Sequence, residues 1–142
     1  MLIDVDPGIR RTGVPSAEAA VEVGRGILAS SWLRYLGVQY YCGREQHIEA
    51  YAERRAAIVD RTNYLRAIIH ALTDSELAPD VVTGGGTGTH HIDAELGLLN
   101  ELQVGSYVLM DRQYNDCDLT GAGADHPPYE TARQIDTRVG SA

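Results

Sequence analysis

The chain has 142 residues, a formal net charge of −8 and a pI near 4.9, with 44% hydrophobic and 23% charged residues. That composition suits one globular domain with a real core and excludes a disordered chain. An acidic chain of this kind is a poor partner for nucleic acid or an anionic membrane. It has no apolar run long enough to span a bilayer and no signal-like start, so the cytoplasm is the expected compartment.

Leu2-Ile3-Asp4-Val5 reads as a buried strand closed by the Asp6-Pro7-Gly8 turn. It enters the core at the second residue, and the expectation is that a segment upstream is missing. Ser16 is a good N-cap, and Ala17, Ala20, Val21, Ile27 and Leu28 recur at helical spacing, which predicts a helix from about Ala17 to Ser30. Leu33 to Tyr41 reads as a second buried strand, ended by Cys42-Gly43.

The strongest periodicity follows. Ile48, Tyr51, Ala52, Ile58, Val59, Leu65, Ile68, Ile69 and Leu72 step in threes and fours, with Glu45, Glu49, Glu53, Arg54 and Arg61 between them. This predicts one long amphipathic helix over Glu45 to Thr73, with those charged residues on its solvent face. Pro79 to Thr83 is a third strand and Val104 to Met110 a fourth, joined through a glycine-rich run and a loop or short helix over His90 to Asn100. After Asp116 the chain is mostly loop, and Thr131 to Val139 begins another element. Strands alternating with helices imply a parallel sheet with covering helices, in one domain.

All 12 basic residues are arginine, so no side chain here can form a lysine Schiff base. Cys42 and Cys117 lack metal-site spacing and read as free thiols.

Three constellations carry chemistry. Gly84 to Thr89 is a run of glycine and threonine after a strand, which suits a phosphate through backbone amides and hydroxyls. No Gly-Lys-Ser/Thr follows it, and Thr89 stands where a dinucleotide fingerprint needs glycine, so neither nucleotide motif is present. On its own, a flexible turn explains the run as well. Gln103, Gly105 and Tyr107 alternate along the fourth strand and would share one face, with glycine marking a close approach. Arg10-Arg11 follow a strand end, where α/β proteins place ligand sites. Tyr40 and Tyr41 must point to opposite faces, one to the core and one free to stack on a planar ligand. His90, His91, Asp93 and Glu95 read as surface residues, because adjacent histidines point apart and rarely share a metal.

In order and spacing these segments resemble the D-threonine aldolase / D-serine dehydratase family. Asp4 to Val14 is similar to its Asp-Val-Gly-x-x-Arg-x-Gly-Val stretch, and Gly37 to Gly43 with Gln46-His47 to its Gly-Leu-x-x-Tyr-x-Gly-x-x-Gln-His stretch. Thr83 to Thr89 resembles its Gly-Gly-Gly-Thr-Gly-Thr loop. Glu101 to Tyr107, with Met110-Asp111 and Tyr114, resembles its Glu-Leu-Gln-x-Gly-Ser-Tyr-x-x-Met-Asp-x-x-Tyr.

The resemblance implies an alanine racemase-type fold, a TIM-type (β/α) barrel that holds pyridoxal phosphate at its strand ends. This chain would be roughly the second half of the barrel, over residues 1–128, with 129–142 starting a truncated C-terminal β domain or tail. By position, Arg11 would bond a polar atom of the cofactor ring and Tyr41 would lie on the ring face. Gly86, Thr87, Gly88, Gly105 and Ser106 would hold the phosphate, joined by Tyr114, and Gln103 would sit near the pyridine nitrogen. The family's Schiff-base lysine has no counterpart, so no catalytic residue is assigned.

Its divalent metal, zinc or manganese, belongs to a C-terminal domain and is expected only in the full-length enzyme. That enzyme would cleave or dehydrate a small D-3-hydroxy amino acid, D-threonine or D-serine, and would allow a homodimer; this chain alone is expected to be inactive. Two alternatives stay open: a non-catalytic remnant that binds phosphate or pyridoxal phosphate, and an amino-acid racemase of the same superfamily.

Overall fold

The structure, a computed structural model, describes residues 1–123, 125 and 127–132. Its first strand, β1 (Leu2–Asp4), leads to helix α1 (Ala17–Leu28), whose N-cap Ser16 accepts the amide of Ala19 through its hydroxyl at 3.3 Å. Strand β2 (Gly37–Tyr40), helix α2 (Tyr51–Asp74) and strand β3 (Val81–Gly84) follow. Then come helix α3 (His90–Leu96), strand β4 (Glu101–Leu102) and helix α4 (Arg112–Asn115), with 3₁₀ turns at Glu45–His47 and Ser106–Leu109.

The sheet has four strands in the order β1-β2-β3-β4, every neighbouring pair parallel. Ile3, Val38 and Val82 form one buried row across it, and Asp4, Gln39, Thr83 and Glu101 form the next. Helix α2 packs beside both α1 and α3. The core fills the space between sheet and helices with Ala20, Ile27, Ile58, Leu65, Ile68, Leu72 and Leu77. Sequential parallel strands have one functional consequence: all four C-terminal ends lie along the same sheet edge.

Three expectations are corrected. The predicted helix over Glu45 to Thr73 is two elements, broken where Ile48 and Ala50 take extended backbone angles. Arg54 explains the break. Rather than facing solvent it is wholly buried, and its guanidinium donates to the carbonyls of Ile48, Glu49 and Asp118. Those carbonyls belong to the break itself and to the loop after α4, so one cation replaces the helical bonds that a continuous helix would make there. Glu45, also expected on the solvent face, is buried with one oxygen on Arg61 Nε at 3.0 Å.

The predicted strand over Val104 to Met110 does not form. Pairing stops with β4 at Leu102, after which Gln103 donates its amide to the Gly84 carbonyl at 2.7 Å and the chain coils into the Ser106–Leu109 turn. Val108 and Leu109 are 62% and 65% exposed, so the apolar residues that suggested a strand find no second layer to bury them. The shared face proposed for Gln103, Gly105 and Tyr107 is therefore lost.

Helix α4 was not expected. Asp111 caps it by accepting the Tyr114 amide at 3.3 Å, and it anchors a second small core of Met110, Tyr114, Cys117 and Leu119 with Tyr129 against it. Most of the element expected over Thr131 to Val139 lies outside the described residues.

Candidate functional site

Most residues singled out as ligand contacts lie in the loops that follow the C-terminal ends of the strands: Arg11 after β1, Tyr41 after β2, Gly86 to Gly88 after β3, and Gln103, Gly105 and Ser106 after β4, whereas Tyr114 comes from helix α4. Parallel topology gathers these loops along one edge although they are far apart in sequence.

At the β1–β2 end, Arg11 and Tyr41 line one pocket with Asp4, Val5, Asp6, Pro7, Ile9 and Thr12. The Arg11 guanidinium carbon stands 5.8 Å from the Tyr41 ring centroid, a cation–π arrangement. Tyr40 and Tyr41 point to opposite faces, as strand alternation requires. Tyr40 is buried and donates its hydroxyl to the Arg61 carbonyl at 3.1 Å, while Tyr41 is half-buried beside the pocket. Burial pushes both phenols up from their ordinary value.

At the β3–β4 end the two glycine-bearing loops touch. Tyr107 donates its amide to the Thr87 hydroxyl at 3.0 Å, and the Gln103 side-chain amide donates to the Thr83 hydroxyl at 3.1 Å. Gly105 and Ser106 lie exposed beside Thr87, and a Cβ built on Gly105 would meet nothing within 4 Å.

Gly86 and Gly88 are placed differently. Their amides donate to Thr89 Oγ1 (3.2 Å) and Gln46 Oε1 (2.9 Å). A Cβ on Gly86 would fall 2.5 Å from Gln46 Oε1, and one on Gly88 would fall 2.0 Å from the Gln46 carbonyl oxygen. These glycines let the Glu45–His47 turn press against the loop, and their N–H groups are committed to protein acceptors.

Gln46 is thus a clamp that the site assignment missed. It is fully buried, donating to the Cys42 carbonyl at 3.2 Å and to Thr89 Oγ1 at 3.0 Å. Thr89 receives two donors at its hydroxyl and passes its own proton to Asp93 Oδ2 at 2.6 Å. Asp93 was expected at the surface but is buried, and burial pushes its carboxyl up to about 6 against the opposing Thr89 bond. Its place one helical turn after Thr89 was the available signal, because residues four apart on a helix meet.

His90 likewise faces inward in part, with Nδ1 on the Thr87 carbonyl at 2.8 Å and Nε2 3.4 Å from the Tyr129 hydroxyl. Tyr114 is buried against His47, ring centroids 4.4 Å apart, so its ring serves the small core as well as the rim. Among the described residues no group of three or more His, Cys, Asp or Glu is placed to hold a metal ion. No helix among them is long and apolar enough to cross a membrane.

No family model matches the chain. Individual proteins do. The chain is 35% identical over 140 residues to a 3-hydroxy-D-aspartate aldolase of Paracoccus denitrificans (strain Pd 1222), covering 98% of this chain and 36% of that protein. It is 32% identical over 114 residues to a D-threonine aldolase of an Arthrobacter species, covering 80% and 30%. The crystal structure of D-threonine aldolase from Filomicrobium marinum superposes with a TM-score of 0.83 at 34% identity, over 92% of this chain and 34% of that one. An alanine racemase-like protein of Idiomarina loihiensis shares the fold, with a TM-score of 0.67 at 13% identity over 83% and 31%. The chain therefore spans about a third of the length of the curated relatives it matches.

Proposed function

This chain belongs to the D-threonine aldolase / 3-hydroxy-D-aspartate aldolase family, and on that premise we propose that its sheet edge is the ring- and phosphate-holding part of a pyridoxal-phosphate-dependent lyase. The substrate class would be small D-3-hydroxy amino acids, cleaved in the retro-aldol direction or dehydrated. Sequential parallel strands are what a segment of a (β/α) barrel requires, and the half-barrel reading rests on that order.

The single observation that carries the proposal is the bond between Tyr107 and Thr87, which brings the two glycine-bearing loops side by side on the edge that also carries Arg11 and Tyr41. The exposed positions that would take a phosphate are Gly105 and Ser106, with Thr87 buried beside them. The space over Gly105 is open, while Thr87, only 2% exposed, accepts from Tyr107 and holds the two loops together. Gly86 and Gly88 contribute by shaping the loop, since their amides are engaged by Thr89 and Gln46.

At the other end, Tyr41 offers a ring face and Arg11 a guanidinium that would neutralise a ring oxygen. Gln103, held by Thr83, would offer a neutral amide near the ring nitrogen. When bound, the cofactor supplies an electron sink for the bond broken at Cα, and a neutral partner at the ring nitrogen tempers that sink. The chain has no lysine, so covalent attachment needs a residue from outside it, and the 142-residue chain alone is expected not to turn over substrate. A divalent metal and a homodimer belong to the full-length enzyme in this reading. The racemase alternative is disfavoured because the relatives matched over most of the chain are aldolases.

Calorimetric titration of the purified chain with 4-deoxypyridoxine 5′-phosphate, which has no aldehyde, tests the proposal without catalysis. Weak reversible binding, competed by inorganic phosphate and weakened by Gly105→Val, is expected. Unchanged affinity in Gly105→Val puts the phosphate elsewhere.

A further inference from the structure

Arg11 sits on a loop whose apolar anchorage is Pro7, which is buried, and Ile9, which is half-buried, while Gly8, Arg10, Arg11, Thr12 and Gly13 are all exposed. Its exposed part, Arg10 to Gly13, holds a long cation over a pocket only if something other than burial fixes its shape. The base of the loop is cinched by an isolated parallel bridge between Val5 and Val14, with Asp6 N–H on the Val14 carbonyl at 3.0 Å and Val14 N–H on the Asp4 carbonyl at 2.8 Å. Gly13 makes this closure feasible. Its φ is +97°, and a Cβ there would lie 2.6 Å from the Asp6 nitrogen.

The upper part of the loop is tied to one side chain. Asp6 Oδ1 accepts the amides of Gly8 at 2.9 Å and Arg10 at 3.0 Å, and Oδ2 also accepts Arg10 at 3.2 Å. Arg10 is held with φ at +59°, a left-handed conformation that a side chain as large as arginine seldom takes unaided. The bond that holds Arg10 there sets the direction in which the next residue, Arg11, leaves the loop. Arg11 then stands over the Tyr41 ring.

We infer that Asp6 is the positioning residue for Arg11: its carboxylate folds the 7–13 loop so that the Arg11 guanidinium faces the ring-binding pocket. The inference deepens the proposed function and rests on it. Asp6 touches no ligand in this account and acts only through the loop backbone. Hydrogen bonding to the Arg10 amide, the largest influence on the carboxyl, holds it below its ordinary value, so the charged acceptor persists across the neutral range.

The geometry makes a residue-specific prediction. Both amides reach Oδ1, so the single carbonyl oxygen of asparagine can take both, whereas alanine can take neither. The test uses the full 142-residue chain and 4-deoxypyridoxine 5′-phosphate, whose near-ultraviolet spectrum reports whether the ring oxygen is ionised. Wild type should favour the ionised form through Arg11. Asp6→Ala should lose that form and weaken binding by about tenfold, the scale of one charge-assisted hydrogen bond. Arg11→Ala should do the same, Asp6→Asn should behave as wild type, and the Asp6→Ala/Arg11→Ala pair should be no worse than Arg11→Ala.

An Asp6→Ala spectrum and affinity equal to wild type overturn the inference, as does an additive double variant or an Asp6→Asn that fails to rescue. An Asp6→Ala chain that no longer folds assigns Asp6 to the fold itself and also overturns it. Wild type that binds no analogue at all removes the proposed function and this inference together, which separates that failure from the failure of Asp6 alone.

Discussion

Replacing Asp93 with asparagine should make this protein more stable at neutral pH and leave it unchanged in acid. Asp93 is 6% exposed, and its carboxyl is pushed from an ordinary 3.8 up to about 6 by burial, with only the Thr89 hydroxyl pulling the other way. Cys42 and Arg61 line the same small cavity, but Arg61 is already paired with Glu45 at 3.0 Å, so no cation is dedicated to Asp93. Between pH 4 and pH 6 the folded chain keeps this proton while the unfolded chain releases it. Stability from this group is therefore fully present below about pH 4, falls as pH rises through about 6, and is flat above. At about 1.4 kcal/mol per pH unit, the gap amounts to about 3 kcal/mol.

Asparagine keeps an oxygen for the Thr89 proton and carries no charge, so the Asp93→Asn chain should lack that slope. Urea denaturation at intervals from pH 4 to pH 8 measures it, with the difference read from the midpoint at constant m. Parallel pH profiles for the two proteins, or an asparagine variant less stable than wild type at pH 8, would refute the reasoning.

The two kinds of glycine on the rim should separate in stability measurements. Gly88→Ala drives a Cβ to 2.0 Å from the Gln46 carbonyl and should lower the urea midpoint by an amount on the scale of core overpacking, about 1–3 kcal/mol, whereas Gly105→Ala should cost only a few tenths. Arg54→Met should destabilise by about 2 kcal/mol or more, because the part-buried carbonyls of Ile48 and Asp118 lose the guanidinium that serves them, and the loss should appear as early hydrogen exchange around Ile48 and Asp118. Cys42, buried and pushed up to about 12 chiefly by burial, should resist thiol reagents at pH 8 until the chain unfolds; rapid native-state labelling would show that the β2 end is open.

Where local patterning and tertiary environment agree, the kind and order of the elements were legible but not their bounds: the strand expected over Leu33 to Tyr41 is only Gly37–Tyr40, and Leu33 is exposed. Strands β1 to β3, helix α1 and its Ser16 cap, and the opposed faces of Tyr40 and Tyr41 follow from alternation, helical spacing and capping chemistry, which act over a few residues. Parallel order followed from the same alternation, and with it the place of Arg11, Tyr41 and the glycine run past C-terminal strand ends; the Gln103 to Ser106 segment joins them because β4 stops at Leu102, whereas the strand expected over Val104 to Met110 would have put it at the opposite end. The four matched stretches, read in order, also pointed to the family to which the chain belongs.

Tertiary structure decided what depends on a partner distant in sequence. Arg54 looked like a surface charge because nothing near it in sequence reveals the carbonyls of Ile48, Glu49 and Asp118 that it serves. Asp93 sat in a run of histidines and acids that suggests solvent, and only the packing of α3 beside the Gln46 clamp buries it. The missing strand at Val104 to Met110 has the same origin: apolar residues form a strand when a neighbour and a second layer are there to cover them, and neither is available to Val108 and Leu109. The chain itself carries its local preferences and the order of its elements, but which charges go inside depends on the donors and acceptors that folding brings to them.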